Sequence, residues 1–190
     1  MAKQIWKAGN MVYPVPAVMV SLMDKDGKAN IITVAWTGTV CSDPPMAYIS
    51  VRKERYSHPI LVETGEFVIN LTTEKLAKIT DFCGVRSGRD VDKFKEMNLT
   101  RGKSSKIAAP LIQESPVNIE CKVKQVIELG SHDMFLAEVV AVQVDEKYMN
   151  SNGRFDLNAA GLMAYSHGEY LALGKKLETF GYSVRKKNKK

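Results

Sequence analysis

The feature that most constrains the fold is an alternation of apolar and polar residues from Val117 to Lys124. Apolar side chains stand at every second position for four pairs, Val117 to Lys124, which is the period of an antiparallel strand with one half-exposed face. A turn-forming stretch, Gly130–Asp133, separates this segment from a second apolar one, Met134–Val144. The two segments therefore predict a long antiparallel hairpin.

Shorter strands are predicted before that hairpin. Pro16–Met23 and Asn30–Trp36 are apolar segments on either side of Asp24–Gly27, which is typical of a hairpin turn. Asp43–Pro45 is a break in the pattern. Two more strands are predicted after it, at Met46–Val51 and Glu66–Leu71.

Two short helices are predicted between these strands. The first begins with Ser57 as its N-cap and ends near Gly65. The second is capped by Thr73 and stopped by Gly84. Residues 85–115 are polar and are predicted to be a loop. Short strands that pair with near neighbours, and few helices, favour an antiparallel β-barrel with short helical inserts.

The net charge of +6 belongs mostly to one end of the chain. Residues 185–190 hold five positive charges and no acid, and without them 22 positive charges face 21 negative ones. We therefore expect a single domain over residues 1–184 and a basic C-terminal tail over 185–190. Nucleic acid is not predicted as a main partner, because the body of the chain is nearly neutral.

Several other classes of protein are disfavoured. The start of the chain has no apolar signal-peptide region, and Val12–Met23 is too short and too interrupted by prolines to span a bilayer. Cys41, Cys83 and Cys121 are odd in number and far apart, which favours a reduced, cytoplasmic chain. No dinucleotide fingerprint, nucleophile elbow or metal-ligand spacing is present, so neither catalytic side chains nor a metal site are predicted.

Two cation-rich segments are candidates for binding an anion. In Ser50–Pro59, a strand runs into three basic residues and then into the predicted helix start, where free N–H groups favour a phosphate. Val85–Phe94 combines serine, glycine, two arginines and a lysine in a loop. On spacing alone, solvated surface charges are the simpler interpretation of each segment. The two together indicate more than either alone, if the fold brings them close.

Several segments, in order and spacing, resemble the flavin reductase-like family of FMN-binding split β-barrels, and within it the flavoredoxin branch. The resemblance covers nearly the whole chain. The segments that carry it are Ile31–Gly38, Cys41–Met46, Ser50–His58, Glu66–Asn70, Ser87–Phe94 and Tyr165–Tyr170.

This resemblance implies a mainly β, Greek-key-like split barrel that forms a homodimer with one non-covalent FMN per subunit, at or near the dimer interface. It places Thr33, Val34, Ala35, Trp36 and Thr37 along the isoalloxazine ring. It assigns the phosphate side to Arg52, Lys53, Ser57 and His58, with Asn70 at the end of the neighbouring strand, and the loop over the ribityl phosphate to Ser87, Gly88 and Lys93.

The resemblance leaves three functions open. The first is an oxidoreductase that moves electrons from NADPH or NADH through FMN to free flavin, a ferric complex or a redox protein. The second is an electron carrier between redox proteins with no nicotinamide activity, and the third is a binding module without turnover.

Other residues have simpler interpretations on sequence alone. Cys41 and Cys83 are better explained by packing than by contact with a flavin. His132 is interpreted as a turn residue, whereas His167 could face a cofactor or substrate. The aromatic residues near the C-terminus are typical of barrel or dimer packing: Tyr165, Tyr170, Phe180 and Tyr182.

Overall fold

The computed structural model describes residues 1–185, and most of their regular structure is β-strand. The strands are β1 Val15–Pro16, β2 Val18–Met23, β3 Ala29–Val34, β4 Thr37–Ser42, β5 Pro45–Arg52, β6 Glu66–Asn70, β7 Arg101–Gly102, β8 Leu111–Ile112, β9 Val117–Leu129, β10 His132–Val144, β11 Met163–Ser166 and β12 Glu169–Ala172. The α-helices are α1 Ser57–Thr64, α2 Ala77–Val85 and α3 Lys93–Glu96.

Seven strands form one antiparallel sheet in the order β3-β2-β6-β9-β10-β5-β4. Its two edge strands, β3 and β4, follow one another in the chain with only Ala35 and Trp36 between them. Three Cα steps span about 10 Å, so the two edges of the sheet must come close at this corner. The N–H of Ser50 donates to the carbonyl of Trp36 at 2.8 Å. The sheet is therefore curled, and the predicted antiparallel barrel is confirmed.

The predicted long hairpin is also confirmed, as β9 and β10. The expectation that β9 is half exposed is wrong for its first half, where Asn118 is 7% and Glu120 0% exposed. A loop covers this face, and the backbone N–H groups of Ser105 and Lys106 donate to the Glu120 carboxylate at 2.9 and 2.7 Å. Alternation alone cannot show that a polar side chain has buried partners.

Apolar side chains pack on both sides of the sheet. The barrel interior holds residues such as Leu22, Ile49, Phe67 and Phe135. A second cluster packs between the outer face of the sheet and the segment that was predicted to be a polar loop. It includes Met19, Ile31, Cys83, Phe94, Leu99 and Ile112.

The loop prediction for residues 85–115 is therefore wrong in part. Helix α3 and the two-stranded pair β7–β8 lie within this segment. Its apolar residues Phe94, Leu99 and Ile112 are widely spaced, so they show no helical or strand period although all three are buried.

Two helix boundaries also differ from prediction. Ser57 is the first residue of α1 rather than its N-cap, which is Tyr56, whereas the predicted end at Gly65 is confirmed by a left-handed φ of 63°. Thr73 precedes a short 3-10 turn without a side-chain cap bond, and α2 runs through Gly84 to Val85.

Three further strands that the sequence did not indicate complete the fold. They are β4, the second edge of the large sheet, and the β11–β12 hairpin, which joins β1 in a separate three-stranded sheet. No helix within residues 1–185 combines the length and the apolar character needed to cross a membrane. Of the predicted basic tail, only Arg185 is among the described residues.

Candidate functional site

Two adjoining cavities open beside the corner that links β3 to β4. The larger cavity has a volume of about 470 Å³ and the smaller one about 220 Å³. Ile32, Arg55 and Gly84 line both, so the cavities form one compartment with two ends. A Cβ on Gly84 would lie 3.2 Å from the side chain of Thr33, which shows how closely α2 packs on β3 in the shared wall.

The smaller cavity carries a strong excess of positive charge. Its lining includes the cationic side chains of Arg55, Arg86, Arg89 and Lys93 but the carboxylate of only one acid, Glu54. Within residues 1–185 no group of three His, Cys, Asp or Glu side chains is arranged to hold a metal ion. The charge of this cavity therefore suits an anion.

Lys93 is the most unusual of these cations, because it is only 4% exposed. Its Nζ donates to the carbonyls of Ile31 and Cys83 at 2.6 and 2.7 Å, and no carboxylate within residues 1–185 pairs with it. Burial lowers the pKa of Lys93 from 10.5 to about 8. A buried ammonium without a counter-ion is unfavourable, and an anion in the cavity would offset that cost.

The thiol of Cys83 lines the same cavity and is fully buried. Burial raises the pKa of Cys83 to about 11, against the opposing effect of Lys93. The thiol is therefore neutral near pH 7, so it adds no negative charge to balance the ammonium.

The first turn of α1 supplies uncharged donors to the smaller cavity. Among the hydrogen bonds of the described residues, none uses the backbone N–H of Tyr56 or Ser57. These groups lie at the positive end of the helix dipole. The Ser57 Oγ accepts a bond from Nδ2 of Asn30 at 2.9 Å, which holds the serine against β3.

Gly88 lines the smaller cavity where the backbone approaches two neighbouring side chains very closely. A Cβ at this position would lie 2.2 Å from Oδ1 of Asn30 and 2.8 Å from the ring of Tyr56. No side chain fits there without displacing both of these neighbours. The neighbouring Ser87 Oγ accepts from the N–H of Arg89 at 3.2 Å, so the turn is braced internally.

The larger cavity is less charged and rich in aromatic rings. Residues 33–36 form one wall. The ring of Tyr13 lies 6.1 Å from that of Trp36 and 6.3 Å from that of Tyr165, and the rings of Tyr165 and Tyr170 are 5.7 Å apart. All four rings line the cavity. A flat aromatic ligand suits such a wall.

Polar and charged residues also line the larger cavity. Arg52 and His132 are paired across β5 and β10, and both side chains face the cavity. Burial, and then the charge of Arg52, lower the pKa of His132. On another wall the hydroxyl of Tyr170 donates to Asp81 at 3.3 Å, and burial followed by Asp81 raises the pKa of this tyrosine to about 12.

The structure brings nine of the thirteen sequence-predicted site residues to this compartment. Those at the larger cavity are Thr33, Val34, Ala35, Trp36 and Arg52. Those at the smaller cavity are Ser57, Ser87, Gly88 and Lys93.

Lys53 and His58 line neither cavity and instead face Asp133. The Nε2 of His58 lies 2.8 Å from one carboxylate oxygen of Asp133, and the Nζ of Lys53 lies 3.3 Å from the other and 2.8 Å from Glu128. Burial acts to raise the pKa of Asp133, but the bonds from His58 and Lys53 outweigh it and the pKa is lowered.

Asn70 and Thr37 also lie outside both cavities. Asn70 is fully buried, donates to the carbonyl of Met19 at 2.9 Å and accepts from the N–H of Ile112 at 3.0 Å. The hydroxyl of Thr37 donates to the carbonyl of Tyr48 at 2.6 Å. Both side chains hold neighbouring strands together.

Sequence reasoning missed several residues of the compartment. The two cation-rich segments include three arginines that line the smaller cavity, Arg55, Arg86 and Arg89. The spacing of residues in the sequence does not show which way these side chains point. Asn30 is a single polar residue at the start of an apolar segment, and this is the sequence feature that could have indicated a role in the site. At the larger cavity the missed residues are Tyr13, His132, Tyr165 and Tyr170.

Three interpretations from sequence change accordingly. His132 is a cavity residue as well as the first residue of β10, and Tyr165 and Tyr170 line the cavity rather than only packing the fold. His167 is not in the lining, and its ring packs 4.6 Å from that of Tyr13.

Comparison with known proteins agrees with this geometry. Residues 10–174 match the family model described as "Flavin reductase like domain". A flavoredoxin of Desulfovibrio vulgaris (Miyazaki F) is 31% identical with a TM-score of 0.89, over 97% of this chain and 100% of that one. A flavin reductase of Pseudomonas putida is 25% identical over 71% of this chain and 76% of that one.

The fold is shared more widely. A structure from Shewanella frigidimarina, described as a flavin reductase with a split barrel domain, is 23% identical with a TM-score of 0.79, over 88% of this chain and 86% of that one. The resemblance seen in the sequence is thereby confirmed: the chain belongs to the flavin reductase-like family, with a split β-barrel fold.

Proposed function

We propose that the chain binds FMN non-covalently, with its phosphate in the smaller cavity and its ring system in the larger one, and acts as an oxidoreductase. The observation that carries this proposal is Lys93, a buried cation without a carboxylate partner among the described residues, in the charged part of a compartment whose other part is aromatic.

The donor set of the smaller cavity fits a terminal phosphate. The dianion would meet the ammonium of Lys93, the guanidinium of Arg55 and the free N–H groups of Tyr56 and Ser57. Charge-assisted bonds of this kind are the strong ones, and they discriminate a phosphate ester from an alcohol. Gly88 brings the backbone close to two other residues of this cavity.

The wall of the larger cavity fits a flat ring with polar edges. Residues 33–36 line one side, and the rings of Tyr13 and Tyr165 pack beside each other in the same lining. Arg52 and His132 also line this cavity, where they can stabilise negative charge on a bound ligand. Bound FMN would supply the capacity to take up electrons and pass them on, so no catalytic acid or base is required of the chain.

The electron donor we propose is NADPH or NADH, with free flavin, a ferric complex or a redox protein as acceptor. The open, aromatic mouth of the larger cavity supports access for a second planar group. The alternative is an electron carrier between redox proteins, which the 31% identity to a flavoredoxin supports.

Anaerobic absorbance spectroscopy tests these alternatives. The protein is loaded with FMN, passed over a desalting column and mixed with NADPH and NADH in turn. Prompt bleaching of the flavin band is expected for a nicotinamide-linked reductase. Retained flavin that neither nucleotide bleaches supports the carrier, and loss of FMN on the column contradicts both.

Two further proposals concern the setting of this activity. A homodimer follows from the family resemblance. The free thiols of Cys41, Cys83 and Cys121 support the cytoplasm as the location, because such a compartment keeps thiols reduced. Lys53, His58, Thr37 and Asn70 are left out of the proposed binding site, since each has partners elsewhere in the fold.

A further inference from the structure

An exposed arm, residues 173–185, follows β12 and has no hydrogen-bonded anchor on the body of its own chain beyond its first residue. Every hydrogen bond of residues 174–185 within the described chain stays inside the arm. Its large apolar side chains are nevertheless exposed, by 55% for Leu173, 89% for Leu177 and 107% for Phe180, and Tyr182 and Val184 are exposed as well. So many exposed apolar side chains in one segment indicate an interaction surface.

An apolar groove of about 520 Å³ lies beside the larger cavity, and Ala35 and Trp36 line both. His132 also faces both spaces. The other groove residues are mostly apolar, and Val12 and Leu129 among them are 85% and 54% exposed. The apolar residues that line the groove include Met11, Val12, Val15, Leu129 and Met134.

We propose that the arm of one subunit lies in the groove of a second copy of this chain, with Leu177 and Phe180 as its anchors. The inference rests on the proposed homodimer and names the segment that forms it. Within one chain these two side chains are exposed, so the arm does not fill its own groove. A two-fold dimer makes the exchange reciprocal, because each subunit then offers the same arm and the same groove.

The surface area that the arm and the groove would bury is large enough for a stable dimer. At about 100 Å² for each aliphatic and about 200 Å² for each aromatic side chain, scaled by the exposed fraction of each, burial of the five apolar side chains of the arm removes roughly 550 Å² from water. The arm and the groove that receives it each contribute comparable area, and the contact occurs twice. The total reaches or exceeds the range of about 1,200–2,000 Å² that is typical of specific interfaces.

The position of the arm connects this interface to the site. The arm leaves the body directly after β12, and Tyr170 on β12 lines the larger cavity. Trp36 and His132 line both the groove and that cavity, so an arm seated in the groove also covers these two residues of the site. The partner therefore completes the compartment and excludes water from the end that holds the ring.

The first test alters the anchors in the full-length, flavin-free protein. Sedimentation velocity over a concentration series is expected to show a dimer for the unaltered chain. Leu177→Ser with Phe180→Ser is expected to raise the dimer dissociation constant at least thirtyfold, roughly the effect of losing one interface hot spot. Val62→Ser with Val142→Ser, at positions 57% and 54% exposed outside the arm and the groove, is the matched control and should change nothing.

The second test alters the groove. Leu129→Ser should weaken the dimer as well, and adding it to the arm variant should cause little further loss, because both changes break one contact.

Trp6 and Trp36 are the two tryptophans of the chain. In a Trp6→Phe background the emission of Trp36 should shift to the red on dissociation, as its cover is lost.

Each outcome decides the proposal. If the dimer persists in the arm variant, the arm is not its anchor, although the proposed homodimer is still supported. A dimer that depends on the arm but not on Leu129 overturns the groove as its seat. An unaltered chain that is monomeric at all concentrations overturns both. FMN retention is measured separately. A protein that does not retain FMN would contradict the proposed function, but the sedimentation and fluorescence results would still test the arm and the groove.

Discussion

The two cavities differ in the kind of interaction they offer. The smaller cavity is lined by cationic side chains, of which Lys93 is buried and only 4% exposed. The larger cavity is lined by tyrosine rings. A buried charge gives affinity for one particular group, whereas an aromatic wall accepts different flat molecules. We therefore expect the smaller cavity to determine which ligand is held and the larger one to determine what reacts with it.

The largest effect is expected from Lys93→Met. Loss of the buried ammonium should weaken FMN binding about 100-fold, because a phosphate would then lose a desolvated charged partner. Riboflavin, which lacks the phosphate, should bind as before. Fluorescence titration with both ligands measures the change. Lys95→Met, at an exposed position in the same helix, is the control and should leave both affinities intact.

Gly88→Ala should produce the next largest effect. The added methyl group would lie 2.2 Å from Asn30 and 2.8 Å from the ring of Tyr56, so both of these cavity residues must shift. An overpacking cost of about 2 kcal/mol corresponds to about thirtyfold weaker FMN binding. Isothermal titration calorimetry measures it, beside Ser151→Ala as a control at an exposed position that lines neither cavity. Equal behaviour of the two variants would contradict tight packing at Gly88.

The pH dependence of ligand binding distinguishes the contributions of the two cavities without a mutation. Burial lowers the pKa of Lys93 to about 8 in the free protein, so above pH 8 the phosphate must bind together with a proton. The dissociation constant of FMN should therefore rise about tenfold from pH 7 to pH 9, because proton binding and ligand binding are linked. The dissociation constant of riboflavin should not change over this range. The dissociation constant of the Lys93→Met variant for FMN should not change either. A flat profile for FMN in the unaltered chain would remove Lys93 from phosphate binding.

The smallest effect, and one of a different kind, is expected from Tyr165→Leu in the larger cavity. Loss of one aromatic contact should weaken FMN and riboflavin alike, by about fivefold. The ratio of the two affinities should stay constant, in contrast to the variants of the smaller cavity. Parallel titrations of both ligands measure the ratio, and a change in FMN binding alone would show that the two ends are not separable.

The fold was largely predictable because its strands have local signatures. The β9–β10 hairpin follows from alternation, and the end of α1 from Gly65. The edge strand β4 was missed, because residues 37–42 have no apolar period and are defined by pairing with β5. Pairing of this kind is a long-range property that local sequence does not contain.

The site was predictable as segments but not as side chains. Both cation-rich segments line the smaller cavity, yet within the first of them Lys53 faces Asp133 while Arg55 faces the cavity. The chain turns between β5 and α1, so spacing cannot tell which of these neighbouring cations faces inward. Asn70 was expected from resemblance to lie beside the phosphate, and its bonds to Met19 and Ile112 hold the core instead.

The most direct test of the central claim is a titration of the flavin-free, unaltered protein with FMN and with riboflavin at pH 7. If the buried cation of the smaller cavity recognises the phosphate, FMN should bind with one molecule per chain and about 100-fold more tightly than riboflavin. Equal affinities for the two ligands would contradict a phosphate site in the smaller cavity.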